Sequence, residues 1–221
     1  NQLQNMRNNN SYTIEDPLLV WNPYGTNTGS FYYYGVSEQD SYAVCEVTCN
    51  KGSVIKHRLK NDSNSGVTKT HEYLITELAP GLENHFSLAF YDAGNNLIDT
   101  YEYTVTLKKD KQIPAITKVE KGNSKSSLTD GLFAVVGHDK SKAKNIYYYD
   151  NNGICRGKTP LNDYRTDRIL TIDGKLVYSD SLTDIAYVNR LGKIEKTLSL
   201  GKYELHHDFM YDEKRNELLC L

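Results

Sequence analysis

Two adjacent histidines and an aspartate, His206, His207 and Asp208, interrupt the otherwise apolar run Leu205-His-His-Asp-Phe-Met-Tyr211. Imidazole is the side chain best able to serve near neutral pH as nucleophile, proton carrier or cation. Burying two rings would demand partners for about four ring nitrogens, so the pair is less ordinary than a lone structural histidine. Read as a strand, the run puts His206, Asp208 and Met210 on one face and His207, Phe209 and Tyr211 on the other. One histidine then points away from the face on which Phe209 packs, and spacing alone leaves open which of the two meets a substrate. His206 and Asp208, on a shared face, could offer two metal ligands, a weak signal for a site that needs more.

Other chemistry is sparse. The chain has no Gly-rich phosphate loop, no Gly-x-Ser-x-Gly and no Cys-x-x-Cys. No metal site and no cofactor is expected. His138, closing Val136-Gly-His-Asp139, reads as a turn residue, and His57, His71 and His85 as surface or structural residues. Arg156, Arg165, Arg168 and Arg190 read as solvated or paired, although one could face a binding channel.

The elements that must position these residues are strands. With 18 Tyr and 5 Phe against 2 Met, and frequent Gly, Asn and Asp between Val, Thr and Tyr, the composition is that of a β protein. The net charge of -2, with both signs interspersed, excludes a basic nucleic-acid surface or a polybasic membrane patch. Cys45 and Cys49, four apart in Tyr42-Ala-Val-Cys-Glu-Val-Thr-Cys-Asn50, would lie about 13 Å apart on a regular strand, too far for a disulfide unless a bulge or turn intervenes. Reduced, buried thiols are the expectation.

Residues 1–16 are polar and expected to be flexible. From 17 to 111, short strands are expected at 18–21, 30–35, 42–48, 53–57, 70–75, 85–91 and 98–105, separated by Gly, Asn and Asp turns. That is β-sandwich spacing, with Glu77-Leu-Ala-Pro-Gly-Leu-Glu-Asn-His-Phe86 as a crossover between sheets of the fibronectin kind. Lys108-Lys-Asp-Lys-Gln-Ile-Pro114 reads as a linker. From 115 to 221 the chain repeats: Gly131 and Gly174 lie 43 residues apart and Gly153 and Gly192 lie 39 apart, and a third copy begins at Leu205. Short strands at such a period predict β-propeller blades. The fold class expected is therefore all-β, a sandwich followed by an incomplete propeller of about two blades and the start of a third.

The chain resembles the N-terminal part of the bacterial aryl-sulfate sulfotransferases that do not use the nucleotide sulfate donor. Three features carry the resemblance: Trp21-Asn-Pro-Tyr-Gly-Thr26 within the sandwich, repeats such as Ile185-Ala-Tyr-Val-Asn-Arg-Leu-Gly192, and His206-His-Asp-Phe209 followed by a turn and Glu217-Leu-Leu219. The resemblance implies a sandwich plus six-bladed propeller, an exported (periplasmic or cell-surface) homodimer, and small phenolic and aryl-sulfate substrates. It also implies ping-pong transfer through a sulfated histidine. In that plan His206 or His207 contacts the sulfate while the nucleophile comes from a later blade, so a 221-residue fragment is expected to be inactive by itself. Self-association through the 203–221 hairpin is a further expectation. A rival reading is a non-catalytic surface-binding protein, for which Tyr32-Tyr-Tyr34 and Tyr147-Tyr-Tyr149 would be the interface.

Overall fold

The computed structural model describes residues 2–63, 65–113, 120, 131–136, 144–163 and 166–221. His138, Arg165, Pro114 and the stretch from 121 to 130 lie outside the described residues. The described residues are all-β apart from one short helix, α1 (Gln2–Asn9), in the segment expected to be flexible. Arg7 holds that helix to the sheet: its guanidinium donates to Glu72 Oε1 at 2.7 Å and sits 4.5 Å from the Tyr34 ring centre.

Six antiparallel strands follow: β1 (Leu18–Trp21), β2 (Phe31–Cys49), β3 (Ile55–Arg58), β4 (Thr68–Ile75), β5 (Glu83–Tyr91) and β6 (Leu97–Thr106). Two expected strands are one. β2 runs for 19 residues because no Gly or Pro interrupts 36–41, and its odd positions from 33 to 49 are buried with the exception of Gln39, Ser37 and Ser41 lying buried on either side of exposed Glu38-Gln-Asp40. Its first half pairs with β1 and β4, its second half with β3 and β5. Both halves cover a single core of Tyr33, Tyr73 and Ile75 with Ala43, Cys45, Val47, Phe86, Leu88 and Phe90. The segment after β4 crosses from one half to the other. There the buried Asn84 side chain closes the Pro80-Gly81 turn, accepting from Ala79 N at 2.6 Å and donating to the Ala79 and Leu82 carbonyls. Cys45 and Cys49 are buried on the same face of β2, Cys155 is half-buried and Cys220 exposed, and all four are free thiols. Burial raises the pKa of all four thiols, which leaves them poor nucleophiles at neutral pH.

Among the described residues, the rest of the chain forms three smaller antiparallel sheets. The first holds β7 (Phe133–Val136), β8 (Asn145–Tyr149) and β9 (Cys155–Pro160); the second holds β10 (Ile169–Ile172), β11 (Lys175–Ser179), β12 (Asp184–Val188) and β13 (Ile194–Ser199). The third is the pair β14 (Phe209–Asp212) and β15 (Glu217–Cys220). They stack face to face. Ile146 and Leu161 of the first sheet region meet Tyr178, Ala186 and Val188 of the second. From the other side of the second sheet, Ile172, Val177 and Ile185 meet Phe209 of the third. Alternation along β11 and β12 therefore sends successive side chains to opposite neighbours.

The turns of successive repeats dock on the N-terminal sheets. In the first, Asp150 Oδ1 accepts from Asn152 N and Ile154 N, each at 2.9 Å, and Gly153 takes a φ of 76°. In the second, Asn189 Oδ1 accepts from Leu191 N and Lys193 N at 2.9 and 3.0 Å, and Gly192 takes a φ of 81°. Arg156, fully buried, pairs with Asp150 at 2.8 Å and donates to the carbonyls of Glu77 and Ser53. Arg190 pairs with Asp62 and reaches the Glu72 carbonyl. Trp21-Asn-Pro-Tyr-Gly-Thr26 serves the same joint: the Thr26 carbonyl accepts from Thr159 Oγ1 at 2.7 Å, and Thr26 Oγ1 donates to the Gly192 carbonyl at 2.5 Å.

Candidate functional site

The first strand of the third sheet begins at Phe209, not before His206, and the expected alternation does not extend to the histidines. His207 takes a φ of 68°, a left-handed conformation that breaks the extended run. The tight turn is closed by Asp208 N donating to the His206 carbonyl at 2.9 Å. Its ends are held by Leu221, whose carbonyl accepts from His206 N at 2.7 Å and whose N–H donates to the Asp208 carbonyl at 3.0 Å. Both imidazoles are exposed, so neither sits on the face that Phe209 buries. Their rings meet edge to face, 4.2 Å between centres.

A non-glycine residue in this region costs about 1–2 kcal/mol through the Cβ clash. His207→Gly is therefore expected to be more stable than His207→Ala by about 1 kcal/mol, with the order reversed at position 206. Urea denaturation of the four variants checks this, and equal stabilities of the two variants at 207 would contradict the turn.

Facing the turn are Asp167 and Arg168, which precede β10. Arg168 grips Asp208 with two nitrogens, Nε and Nη2, the latter at 3.0 Å. That bidentate grip, with Phe209 N donating to Asp208 Oδ1 at 2.8 Å, holds the Asp208 carboxyl below the usual carboxylate range. Asp167 Oδ2 lies 3.7 Å from His207 Nδ1, ion-pair distance when the ring is protonated. The two pairs have a simple origin. β14 starts 40 residues after β10, so Asp167 and His207, and Arg168 and Asp208, are equivalent positions of successive repeats. Stacking the sheets brings them side by side. Arg168 was only one of several candidate cations in the sequence, and Asp167 was not singled out; aligning the repeats on that offset is the signal that finds both.

The other residues considered lie elsewhere. His71 is buried in the N-terminal core, His85 bonds to Thr104, and His57 stands 3.6 Å from Glu77. Tyr32, Tyr33, Tyr147 and Tyr149 are buried, which makes most of the two tyrosine triplets core rather than a surface. A cavity of about 570 Å³ lies near the N terminus, but Glu15, Glu38 and Asp99 line it and would repel an anion. Among the described residues no cluster of three or more His, Cys, Asp or Glu is arranged to hold a metal ion.

What this cluster offers is two accessible imidazoles, an arginine and two carboxylates at a junction between repeats. Residues 117–221 match the family model described as Arylsulfotransferase (ASST). This region belongs to the arylsulfotransferase family. The match spans all three stacked sheets and includes every residue of the histidine cluster. The arylsulfotransferase region thus contains the only adjacent histidine pair in the chain. No curated protein matches the chain.

Proposed function

We propose that the protein is part of an enzyme that transfers a sulfuryl group from an aryl sulfate to a phenolic acceptor, with the His206–His207 cluster contacting the sulfate. The observation that carries this reading is the placement of two exposed rings inside the arylsulfotransferase match. The chemistry is ping-pong. In the first half a histidine nitrogen bonds to sulfur as the S–O bond to the aryl group breaks, and the departing phenolate takes a proton. In the second the acceptor phenol loses its proton as its oxygen bonds to sulfur and the N–S bond breaks. Neutral imidazole suits this role because it attacks near neutral pH and leaves readily. Charge spreads over the sulfuryl oxygens in flight, so cationic donors stabilise the transition state.

By the family resemblance His206 or His207 contacts the sulfate, and the nucleophile is a different histidine. The stacked sheets read as the first blades of a propeller and the N-terminal sheets as a fibronectin-like sandwich; face-to-face packing at a 40-residue offset supports the first reading. Export and dimerisation belong to the same proposal on the resemblance alone.

Incubation of the protein, as it is made in its cell, with 4-nitrophenyl sulfate and phenol tests the proposal. Acceptor-dependent release of 4-nitrophenol with parallel-line kinetics is the expected result. Absence of phenyl sulfate among the products would contradict it.

A further inference from the structure

We propose that β6 is an interaction strand whose partner is β6 of a second copy of this chain, paired antiparallel about Tyr103. The inference is independent of the sulfate reading, and it supplies a surface for the dimerisation that the resemblance implies.

The first observation is an open edge. β6 lies at the end of its sheet and pairs with β5 alone, from Glu83↔Thr106 to Tyr91↔Leu97. An edge strand sends alternate N–H and C=O groups outward, a template for a further strand. Among the described residues no loop or strand bonds to that side of β6. The other edges of the N-terminal sheets are blunted: β1 and β3 have four residues each, and the Glu72 carbonyl of β4 is taken by Arg190. β6 has ten residues, no Lys, Pro or Gly to discourage pairing, and mostly Thr, Tyr, Ile and Val, the types that suit a sheet.

The second is register. Strands that merge across an edge keep their core faces together, so residues directly opposite share a face. Tyr101, Tyr103 and Val105 pack against the N-terminal core, Tyr103 stacked on Phe86 at 4.7 Å and Tyr101 edge to face with Phe90 at 6.0 Å. Glu102, Thr104 and Thr106 are exposed on the opposite face. A two-fold pairing of β6 with itself is therefore centred on one residue. Centred on Glu102, it would oppose two carboxylates; on Tyr101, it would set Asp99 against Tyr103; on Thr104, it would give up part of the overlap. Centred on Tyr103, it sets Tyr103 against Tyr103, Tyr101 against Val105 and Glu102 against Thr104. Aromatic and β-branched pairs then fill the core side, and no like charges face each other.

The third is charge. At one end of β6, Asp99 lines the cavity of about 570 Å³ together with Glu15 and Glu38. At the other end follow Lys108 and Lys109, both exposed. Centring on Tyr103 places Lys108 of one copy opposite Ile98 of the other, which brings the two lysines beside the acidic cavity. The two-fold axis makes this contact twice, so the cavity that repels an anion receives cations from the second copy.

Sedimentation equilibrium of the protein and its charge variants tests the proposal. The wild type is expected to dimerise, less tightly as salt screens the exposed charges. Thr104→Glu, which opposes Glu102 of the second copy twice per dimer, is expected to weaken the dimer about tenfold. Thr104→Lys is expected to tighten it about threefold, because the same two pairs become attractive. Both variants lose the same exposed hydrogen bond to His85, so their difference isolates the charge. Glu102→Lys combined with Thr104→Glu is expected to restore the dimer, and Lys108→Glu with Lys109→Glu to weaken it about tenfold. A dimer that responds alike to Glu and Lys at position 104, or to neither, would overturn the assignment of β6 and leave dimerisation to another surface. A monomer at every concentration would overturn both, and neither result bears on transfer from 4-nitrophenyl sulfate.

Discussion

Arg156→Ala is expected to lower the stability of the protein by about 3–5 kcal/mol, because it leaves a buried carboxylate without its cation. Arg156 has no exposed surface, and all three of its guanidinium nitrogens are used: Nε on Asp150, Nη1 on the Glu77 carbonyl and Nη2 on the Ser53 carbonyl. Asp150 depends on it in turn while also accepting from Ser53 N at 2.9 Å and organising the β8–β9 turn. The pair therefore joins the first stacked sheet to the N-terminal sheets, and its loss falls on the joint rather than on either core. Urea titrations followed by tyrosine fluorescence and by far-ultraviolet circular dichroism check this. Alanine should shift the midpoint strongly and separate the two probes, as the N-terminal sheets and the stacked sheets lose their coupling. A loss below about 1 kcal/mol would mean that the pair contributes no more than a surface salt bridge.

The second large effect is pH-dependent. His71 has no exposed surface; its Nε2 lies 3.0 Å from both Ser37 Oγ and Ser41 Oγ, and its Nδ1 lies 2.9 Å from the Tyr73 hydroxyl. The Phe90 ring closes the remaining side edge to face at 4.9 Å. Burial pulls the pKa of His71 down from 6.5 to about 4. The unfolded chain thus binds a proton more readily than the folded one. The stabilisation is fully present above pH 6.5, declines as the pH falls through 6.5 toward 4, and has been lost below that. At 1.36 kcal/mol per pH unit the difference amounts to about 3 kcal/mol. Comparing wild type with His71→Gln at pH 7.5 and pH 4 removes the contribution of the other groups. The wild type should lose about 3 kcal/mol relative to the variant, and a pH-independent difference would show that His71 is not held neutral.

His71 also shows where sequence reading reaches its limit. Its type suggested a surface or structural residue, and it proved structural, at the point where β2 passes from one half of the sheet to the other. Strand positions were legible because Tyr, Val, Ile and Phe alternate between turn residues; β1 occupies 18–21 as read, and β4, β5 and β6 lie within two residues of expectation at each end. The fusion of two strands into β2 was not legible, because Glu38-Gln-Asp40 looks like a turn until its neighbours Ser37 and Ser41 are known to fill core positions. The helix at Gln2–Asn9 escaped for a related reason: the contact that holds it is a single arginine reaching Glu72, 65 residues away.

At the histidine cluster the residue types were legible and their geometry was not. Alternation assigned His206 and His207 to opposite faces of a strand, whereas a positive φ at a histidine has no signature in composition or spacing. The partners of the pair were hidden differently. Asp167 and Arg168 are ordinary in their own segment and acquire meaning only through the 40-residue offset that lays one repeat on the next. Long-range pairs of this kind follow from stacking of the sheets, which local pattern does not encode.

Recognition of an aryl sulfate by these two rings is directly measurable. Titrating the wild-type chain and the His206→Asn/His207→Asn double variant with 4-nitrophenyl sulfate measures this with no need for turnover. Saturable binding by the wild type, abolished in a double variant that melts at the same temperature, is the predicted result. Equal binding by both proteins would place the sulfate elsewhere and contradict the central claim.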